Sequence, residues 1–472
     1  MNSLQRDLAK LFGEDALRDS DRGSEYLHDS TELQGLSGYA DAVAAPSGVE
    51  AVQALVAWCY EHDVAIVPRG GGTGFAGGAV PFGGVVCSLE RLDRVREFQP
   101  ELWRLHVDAG VTTGRVHKLT RESGLFFPPD PGASEQSQIG GNVACNAGGP
   151  HSFKYGVTGA WVTGAEAVVA EGALVRWGGP VRKDVAGYDL RSLFVGSEGT
   201  LGIITGVWLR LLPAPEVSVP VVAAYPGVAE GAAALGRVYG SGLVPAALEF
   251  FDPGCVAASK ASFPGGLPDA ASFMVLAEAD GSRAAAAELL SELEGTLAEG
   301  AVFMRRFDTG ATVRDLWRWR NGVSFAVAAK RGGKMSEDVA VPFDALAEAI
   351  AATIEVGERH RLEACSWGHA GDGNLHATFL VDARSEVEVA RAQTAHEELF
   401  ARVLSMGGTV SGEHGLGWVK RGQLERQFSP VEVELMRQIK HVFDPKGLFN
   451  PGKKIGPASP PLTLPDERGG RL

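Results

Sequence analysis

Apolar positions along the N-terminal part of the chain recur first at helical and then at strand spacing. In "MNSLQRDLAKLFGEDALRDSD", Leu4, Leu8 and Leu11 line one face of a short amphipathic helix. From Ser47 the stretch "SGVEAVQALVAWCYEHD" keeps apolar residues at i, i+3 and i+4, which predicts a helix with Ser47 as its cap. Shorter apolar runs follow: "VAIVP", "GVVCSL", "WRLHVDAG", "GAEAVVA" and "LGIITGVWLRLL". Gly- and Pro-rich connections divide them, so they read as strands. To about Pro213 the pattern describes one α+β domain built around glycine loops. Beyond it, strands alternate with Ala-rich helices in three rough units, the last running from "EDVAVP" through "DALAEAIAATIEVGERH" to "ACSWGHA". Such units predict a sheet with helices packed on one face. After Lys454 the Pro-rich, polar "IGPASPPLTLPDERGGRL" predicts a frayed tail.

Composition narrows the function. A chain of 472 residues supports two or three domains with ample core. Its net charge of −14 argues against nucleic acid as the main partner, which needs a concentrated cationic surface. Five scattered cysteines, with no C-x-x-C, exclude a thiolate-held iron–sulfur cluster and read as buried, reduced thiols. The N-terminus lacks the apolar core of a signal peptide, and no run is long and apolar enough to span a bilayer. A soluble, cytoplasmic protein without a transmembrane segment is expected.

The segment "VAIVPRGGGTGFAGGAVP" contains a literal G-x-G-x-x-G at Gly72, Gly74 and Gly77. A Rossmann fingerprint must also open a helix. Here glycines and Pro81 forbid one and a second strand follows, so the spacing of Glu90, suggestive of a ribose-binding acid, is coincidence. A Walker loop fails too, because no G-K-[ST] is present. What remains is a strand–loop–strand connection with Arg69 and Thr73, whose glycines let backbone N–H groups converge on an anion. Two more glycine-rich stretches, "IGGNVACNAGGPHSFKYGVTGAW" and "GYDLRSLFVGSEGTLGIIT", suggest a large, flat, phosphate-bearing ligand.

A second chemistry-bearing region is "SWGHAGDGNLHATFL", with His369 and His376 around the turn sequence Gly-Asp-Gly-Asn. Strands flanking such a turn can bring two imidazoles together. "GGTVSGEHGLG" then adds Glu413 and His414 in another glycine-lined turn. Two His and a carboxylate with open positions fit zinc or a similar divalent ion, whereas a lone His would read as structural.

The three glycine loops, in this order, resemble the FAD-binding domain of the vanillyl-alcohol oxidase (PCMH) type. Within that type they are similar to the FAD-linked D-2-hydroxy-acid dehydrogenases: the glycolate oxidase flavin subunit, D-lactate dehydrogenase and D-2-hydroxyglutarate dehydrogenase. The likeness runs from about Ser24 to Lys454. It implies an α+β protein with a PCMH-type FAD-binding domain over 1–213, a ferredoxin-like α+β substrate domain over 214–454 and a flexible tail over 455–472.

By the same resemblance, Pro68, Arg69, Gly70, Gly71, Gly72, Thr73 and Gly74 hold the FAD pyrophosphate. Pro131, Ser137, Gly140, Gly141, Asn142, Asn146, Gly148, Gly149, Tyr155 and Gly156 lie along the flavin. Glu198, Gly199, Gly202 and Ile203 lie near the adenine end, with Asn450 and Lys453 near the flavin. "DPGASEQSQ" departs from the family's Ser directly after "DP", leaving Ser134 and Ser137 as alternatives. Thr73 stands where members with covalent flavin carry His, which implies dissociable FAD.

The resemblance also makes His369, His376 and Glu413 ligands of a divalent metal, zinc or manganese, and His414 the base. A metal chelated by the substrate's hydroxyl and carboxylate orients it and lowers the hydroxyl pKa. An imidazole, with a reference pKa of about 6.5, can take the proton at neutral pH, while flavin N5 receives the hydride. Arg320 matches the family's substrate-binding "LW-x-x-R", with Ser324 one turn on. Lys334, Thr378 and His414 complete the expected substrate contacts, although the spacing after Lys334 departs from that of a hydroxyglutarate enzyme. Arg318, Lys330 and Arg331 read as a solvated face.

The expected activity is oxidation of a D-2-hydroxy acid such as glycolate, D-lactate or D-2-hydroxyglutarate. Electrons pass to an external acceptor: a quinone, a cytochrome, an electron-transferring flavoprotein or a partner subunit. A homodimer is compatible with this. The rivals are a metal-free FAD oxidase of an alcohol, sugar or aromatic compound, and an electron-relay flavin subunit of a larger complex.

Overall fold

Ile66–Arg69 and Val85–Ser88 lie side by side as parallel strands, and no helix connects them. The connection is the glycine loop itself, as Pro81 and the clustered glycines require. The computed structural model describes residues 1–455 apart from 22 and 32–34; beyond Ile455 the tail expected to be flexible lies outside the described residues.

The first domain has two sheets. One runs Leu17–Arg18, Ala42–Ala44, Val85–Ser88, Ile66–Arg69, with the last three strands parallel. The other is antiparallel and runs Val95–Gln99, Arg104–Asp108, Ile203–Arg210, Val162–Val168, Leu174–Gly178. The helix Val49–Glu61 packs Val52, Leu55 and Val56 into the core they share with Val85, Val107 and Val207. Its cap is Gly48 and not Ser47, and no side chain bonds to the first turn. The second glycine stretch is not all loop, because Ile139–Cys145 forms a short helix that ends at Asn146 with positive φ.

The second domain is built on a seven-stranded antiparallel sheet. Its order is Phe303–Arg306, Val217–Tyr225, Phe273–Gly281, Ala247–Phe251, Ala364–His369, Asn374–Leu380, Lys334–Ala340. The first four strands, with helices Val228–Gly240 and Arg283–Leu297, form a βαββαβ ferredoxin-like unit.

Helices cover both faces of this sheet and not one. Val221, Ala223 and Tyr225 point into one apolar cluster, and Val222 and Ala224 into another. Strands that are apolar on both sides must be covered on both. Arg283–Leu297 and Leu346–Arg359 cover the first face, and Pro253–Ser259 and the long helix Gly310–Ala329 cover the second.

The last helix, Pro430–Phe443, starts on a Ser429 capping box and returns the chain to the first domain. Its Lys440 donates to the carbonyls of Thr200 and Phe449, and Phe449 bridges to Ile66. Asn450 then donates to the carbonyls of Gly78 and Glu198, which ties the first glycine loop to the third.

Candidate active site

The second domain's sheet places its polar side chains by register. His369 pairs across the strands with Glu249, and His376 pairs with Trp367 on one side and Asp338 on the other. The two imidazoles are not directly opposed, but their rings meet edge to face at 5.7 Å. The 411–417 turn brings in Glu413, whose Oε1 lies 3.4 Å from His369 Nε2 and 3.7 Å from His376 Nε2. The ligand atoms of His369, His376 and Glu413 all lie within 4.8 Å of one another. Among the described residues this is the one group of at least three His, Cys, Asp or Glu side chains arranged so that it could hold a metal ion.

Electrostatics suit a cation there. Burial opposes charge on His369, but the flanking Glu249 and Glu413 carboxylates outweigh it and raise its pKa to about 10. Burial drives His376 down to about 3 against the pull of Glu413, so it offers a neutral nitrogen. Burial would raise Glu413, but His369, His376 and His414 hold it at about 2, ionised at any working pH. His376 Nδ1 is buried with no hydrogen-bond partner. In this arrangement the His369 proton supplies the positive charge beside Glu413, and a donor set in which a divalent ion can take that proton's place fits such an ion.

Two carboxylates far apart in the sequence fix the turn that carries Glu413 and His414. Asp338 Oδ2 accepts from the Glu413 and His414 amides at 2.8 and 2.9 Å and from Ser411 Oγ at 3.0 Å. Glu198, from the first domain, accepts from the Leu416 and Gly417 amides and from Lys454 Nζ. His414 stacks on Phe75 of the first glycine loop at 4.9 Å and on His376 at 5.3 Å. Its Nε2 stands 3.9 Å from Glu413 Oε1, too far for a hydrogen bond and free to meet another group.

Gly148 closes the site from the first domain, since a Cβ there would fall 2.6 Å from Glu413 Oε2. Gly148→Ala is therefore expected to displace the Glu413 carboxylate and, if the group holds a divalent ion, weaken its binding by about tenfold or more. Chelator competition would check this.

Arg320, on Gly310–Ala329, reaches the same place. Its Nε donates to Glu249 Oε2 at 2.7 Å, and its Nη2 lies 3.5 Å from His369 Nδ1. Ser324 lies half-buried one turn on. Lys334 Nζ donates to Ser336 Oγ at 2.9 Å, and Ser336 Oγ bonds Thr378 Oγ1 at 2.6 Å. Lys334 Nζ also sits 5.1 Å over the Trp367 ring, and burial lowers its pKa to about 8. Arg318, Lys330 and Arg331 form exposed ion pairs with Asp315, Glu363 and Glu388, as a solvated face should.

The glycine loops touch backbone to backbone, since a Cβ on Gly71 would fall 2.0 Å from the Gln136 carbonyl oxygen. Gly74 accepts from the Ser30 amide, and the carbonyl of Thr73 from Ser30 Oγ. Gly70 packs against Gln138 and Gly141, and Gly140 against Ala109. Arg69 is spent on the chain itself, donating to the carbonyls of His28 and Glu25 beneath Gly72. Ser137 and Asn142 converge on Thr113 Oγ1, both at 2.7 Å. Asn146 accepts from the Gly159 amide, while Gly149 lies against Asp130, which precedes Pro131. Tyr155, before the positive-φ Gly156, bonds Asp280. Gly199 lies against Pro68, and Gly202 leads into Ile203 at the strand start. Glu90 pairs with Arg18 and Tyr26.

These loops fit a phosphate-bearing cofactor. Asp29 Oδ2, Gln138 Oε1 and Ser197 Oγ are buried around them without a hydrogen-bond partner. A Cβ on Gly78 or Gly141 would meet open space. Lys453, 1 % exposed and bonded to Asn450 Oδ1, is lowered to about 7 by burial despite nearby Asp29 and Glu198, and an anionic ligand would suit it. Sequence reasoning missed Thr113, Asp338 and Glu249. Their partners are 24 to 120 residues away, and no local pattern marks them.

A two-sheet domain joined through glycine loops to a ferredoxin-like sheet is the architecture of a PCMH-type flavoprotein. The structure superposes on p-cresol methylhydroxylase with a TM-score of 0.79, at 20% identity over 96% of both chains. It matches 4-ethylphenol oxidase from Gulosibacter chungangensis with a TM-score of 0.76, at 19% identity over 97% of this chain and 98% of that one. Residues 214–454 match the C-terminal domain of FAD linked oxidases and residues 40–178 an FAD binding domain; the chain belongs to the FAD-linked oxidases. It is 35% identical to the glycolate oxidase subunit GlcD of Bacillus subtilis, over 95% of this chain and 96% of that one. It is 33% identical to a D-lactate dehydrogenase of Anaerostipes hadrus (91% and 92% covered). With a D-2-hydroxyglutarate dehydrogenase of Xanthomonas citri pv. viticola the identity is 36% (90% and 91% covered). No helix among the described residues is long and apolar enough to cross a membrane.

Proposed function

We propose that this chain oxidises a D-2-hydroxy acid to the 2-oxo acid, using non-covalent FAD and a divalent ion, zinc or manganese. The observation that carries this reading is the convergence of His369, His376 and Glu413 beside Arg320 and His414. FAD supplies the two-electron acceptor that no side chain provides, and the ion supplies Lewis acidity toward a chelating hydroxy acid. The first-domain loops 68–74, 131–156 and 196–203, with Asn450 and Lys453, would hold FAD. His369, His376 and Glu413 would hold the ion.

The remaining side chains do the work of position and proton transfer. Arg320 faces the substrate carboxylate with its guanidinium already oriented. Lys334, with Ser336 and Thr378, offers a second polar anchor on the same sheet face. His414 takes the hydroxyl proton as the Cα–H bond gives up its hydride. Phe75 stacks on one face of that imidazole and holds its ring in place.

The names of the relatives support a small hydroxy acid, and their variety leaves glycolate, D-lactate and D-2-hydroxyglutarate as the candidates. One relative is a subunit of glycolate oxidase, which supports an external partner as the electron acceptor.

Lys334 gives this reading a pH signature. Its ammonium persists below about 8 and is lost above it. The kcat/KM for the hydroxy acid should therefore fall as pH rises through about 8. Lys334→Met should lower kcat/KM below that pH and flatten the alkaline limb in steady-state assays.

The test of the proposal is anaerobic bleaching of the flavin band by a panel of D- and L-2-hydroxy acids, with and without prior chelation. Bleaching by D-acids that chelation abolishes and zinc or manganese restores is the expected result. Chelator-insensitive bleaching would favour a metal-free oxidase. A yellow protein that no hydroxy acid reduces would favour a relay subunit.

A further inference from the structure

We infer that Glu249 is a positioning residue serving the metal and the substrate carboxylate at once; the inference rests on the metal-assisted reading above. Glu249 is fully buried on Ala247–Phe251, opposite His369. Its Oε1 lies 2.5 Å from His369 Nδ1, which directs that proton to Glu249 and leaves Nε2 for Glu413's side of the site. A carboxylate behind a ligating imidazole fixes its tautomer and ring orientation and raises its basicity.

The second oxygen does a different job. Oε2 accepts from Arg320 Nε at 2.7 Å and lies 2.5 Å from Nη2, so the guanidinium is held flat against the same carboxylate. Arg320 comes from the helix Gly310–Ala329, and His369 from the sheet beneath it. One side chain thereby sets the spacing between the ligand and the cation proposed to receive the substrate carboxylate. It also places a negative charge between Arg320 and a bound cation that would otherwise repel each other. Lost ligand orientation and unscreened repulsion both act against the metal, whereas a loosened Arg320 acts against the substrate.

Glu249→Gln separates these effects. The wild-type holoenzyme is first titrated with zinc alone and manganese alone against a chromophoric chelator; failure to bind either ion would remove the metal reading itself. Given wild-type binding, Glu249→Gln should bind zinc about 10- to 100-fold more weakly with its FAD absorbance unchanged. At saturating metal its KM for the hydroxy acid should rise by a larger factor than its kcat falls. A merely structural role would lower the melting temperature and leave the zinc affinity of the folded fraction where it was. Zinc binding within twofold of wild type overturns the inference. Should Glu249→Gln fail to accumulate, the double variant Glu249→Gln, Arg320→Met removes the buried anion with its cation. Unchanged zinc affinity in that protein overturns the inference equally, and a loss of about tenfold or more supports it.

Discussion

His376→Ala is expected to release the divalent ion and reduce hydroxy-acid turnover to background while the protein stays yellow. His376 is buried, and its pKa of about 3 makes it a neutral donor at every pH the enzyme would meet. The proposed ligand group would then keep only His369 and Glu413, two protein ligands where catalytic sites of this type use three. The side chain belongs to the sheet of the second domain and makes no hydrogen bond to the loops proposed to hold FAD, so flavin content should be preserved. Metal analysis, the visible spectrum and steady-state rates on one preparation check all three statements. Retained metal with lost turnover would instead make His376 a substrate contact, and retained turnover would remove the metal from the mechanism.

The second large effect is expected from His414→Asn. Loss of a general base costs about 10²–10⁴ in rate. The variant should keep FAD and any divalent ion, because His414 lies outside the proposed ligand group and its amide stays bonded to Asp338. The fall should appear in kcat more than in KM. An unchanged kcat would assign the base elsewhere.

The sequence made the glycine loops and the two-histidine turn legible because their signals are local. Gly and Pro forbade the Rossmann helix after Gly77, and strands lie on both sides of that loop. Five of the first-domain strands were equally plain, each a short apolar run between breakers, but Leu17–Arg18, Ala42–Ala44, Val95–Gln99 and Leu174–Gly178 are too short or too polar for such a run and were not legible. What stayed hidden depended on pairing across long separations. Glu249 reads as one more acid in an apolar strand until the sheet sets it opposite His369. Asp338 and Glu198 hold one turn from two domains, 75 and 218 residues away in the chain. The two-sided helix cover was also concealed, because a run apolar at every position has no period from which to read its faces. Ser47 was displaced as cap by Gly48, whose extended backbone does the job without a side-chain bond.

The C-terminal return has a consequence for the order of assembly. Phe449 completes a core otherwise made of residues before 212, and Asn450 fastens together two loops of that same domain. The first domain thus lacks a wall until residues 449 and 450, which follow the second domain in the chain, have been made. The loops proposed to hold FAD are therefore completed only after the intervening domain has been made, and until then their open surface is prone to aggregation. Tight FAD uptake is accordingly expected only once both domains are in place.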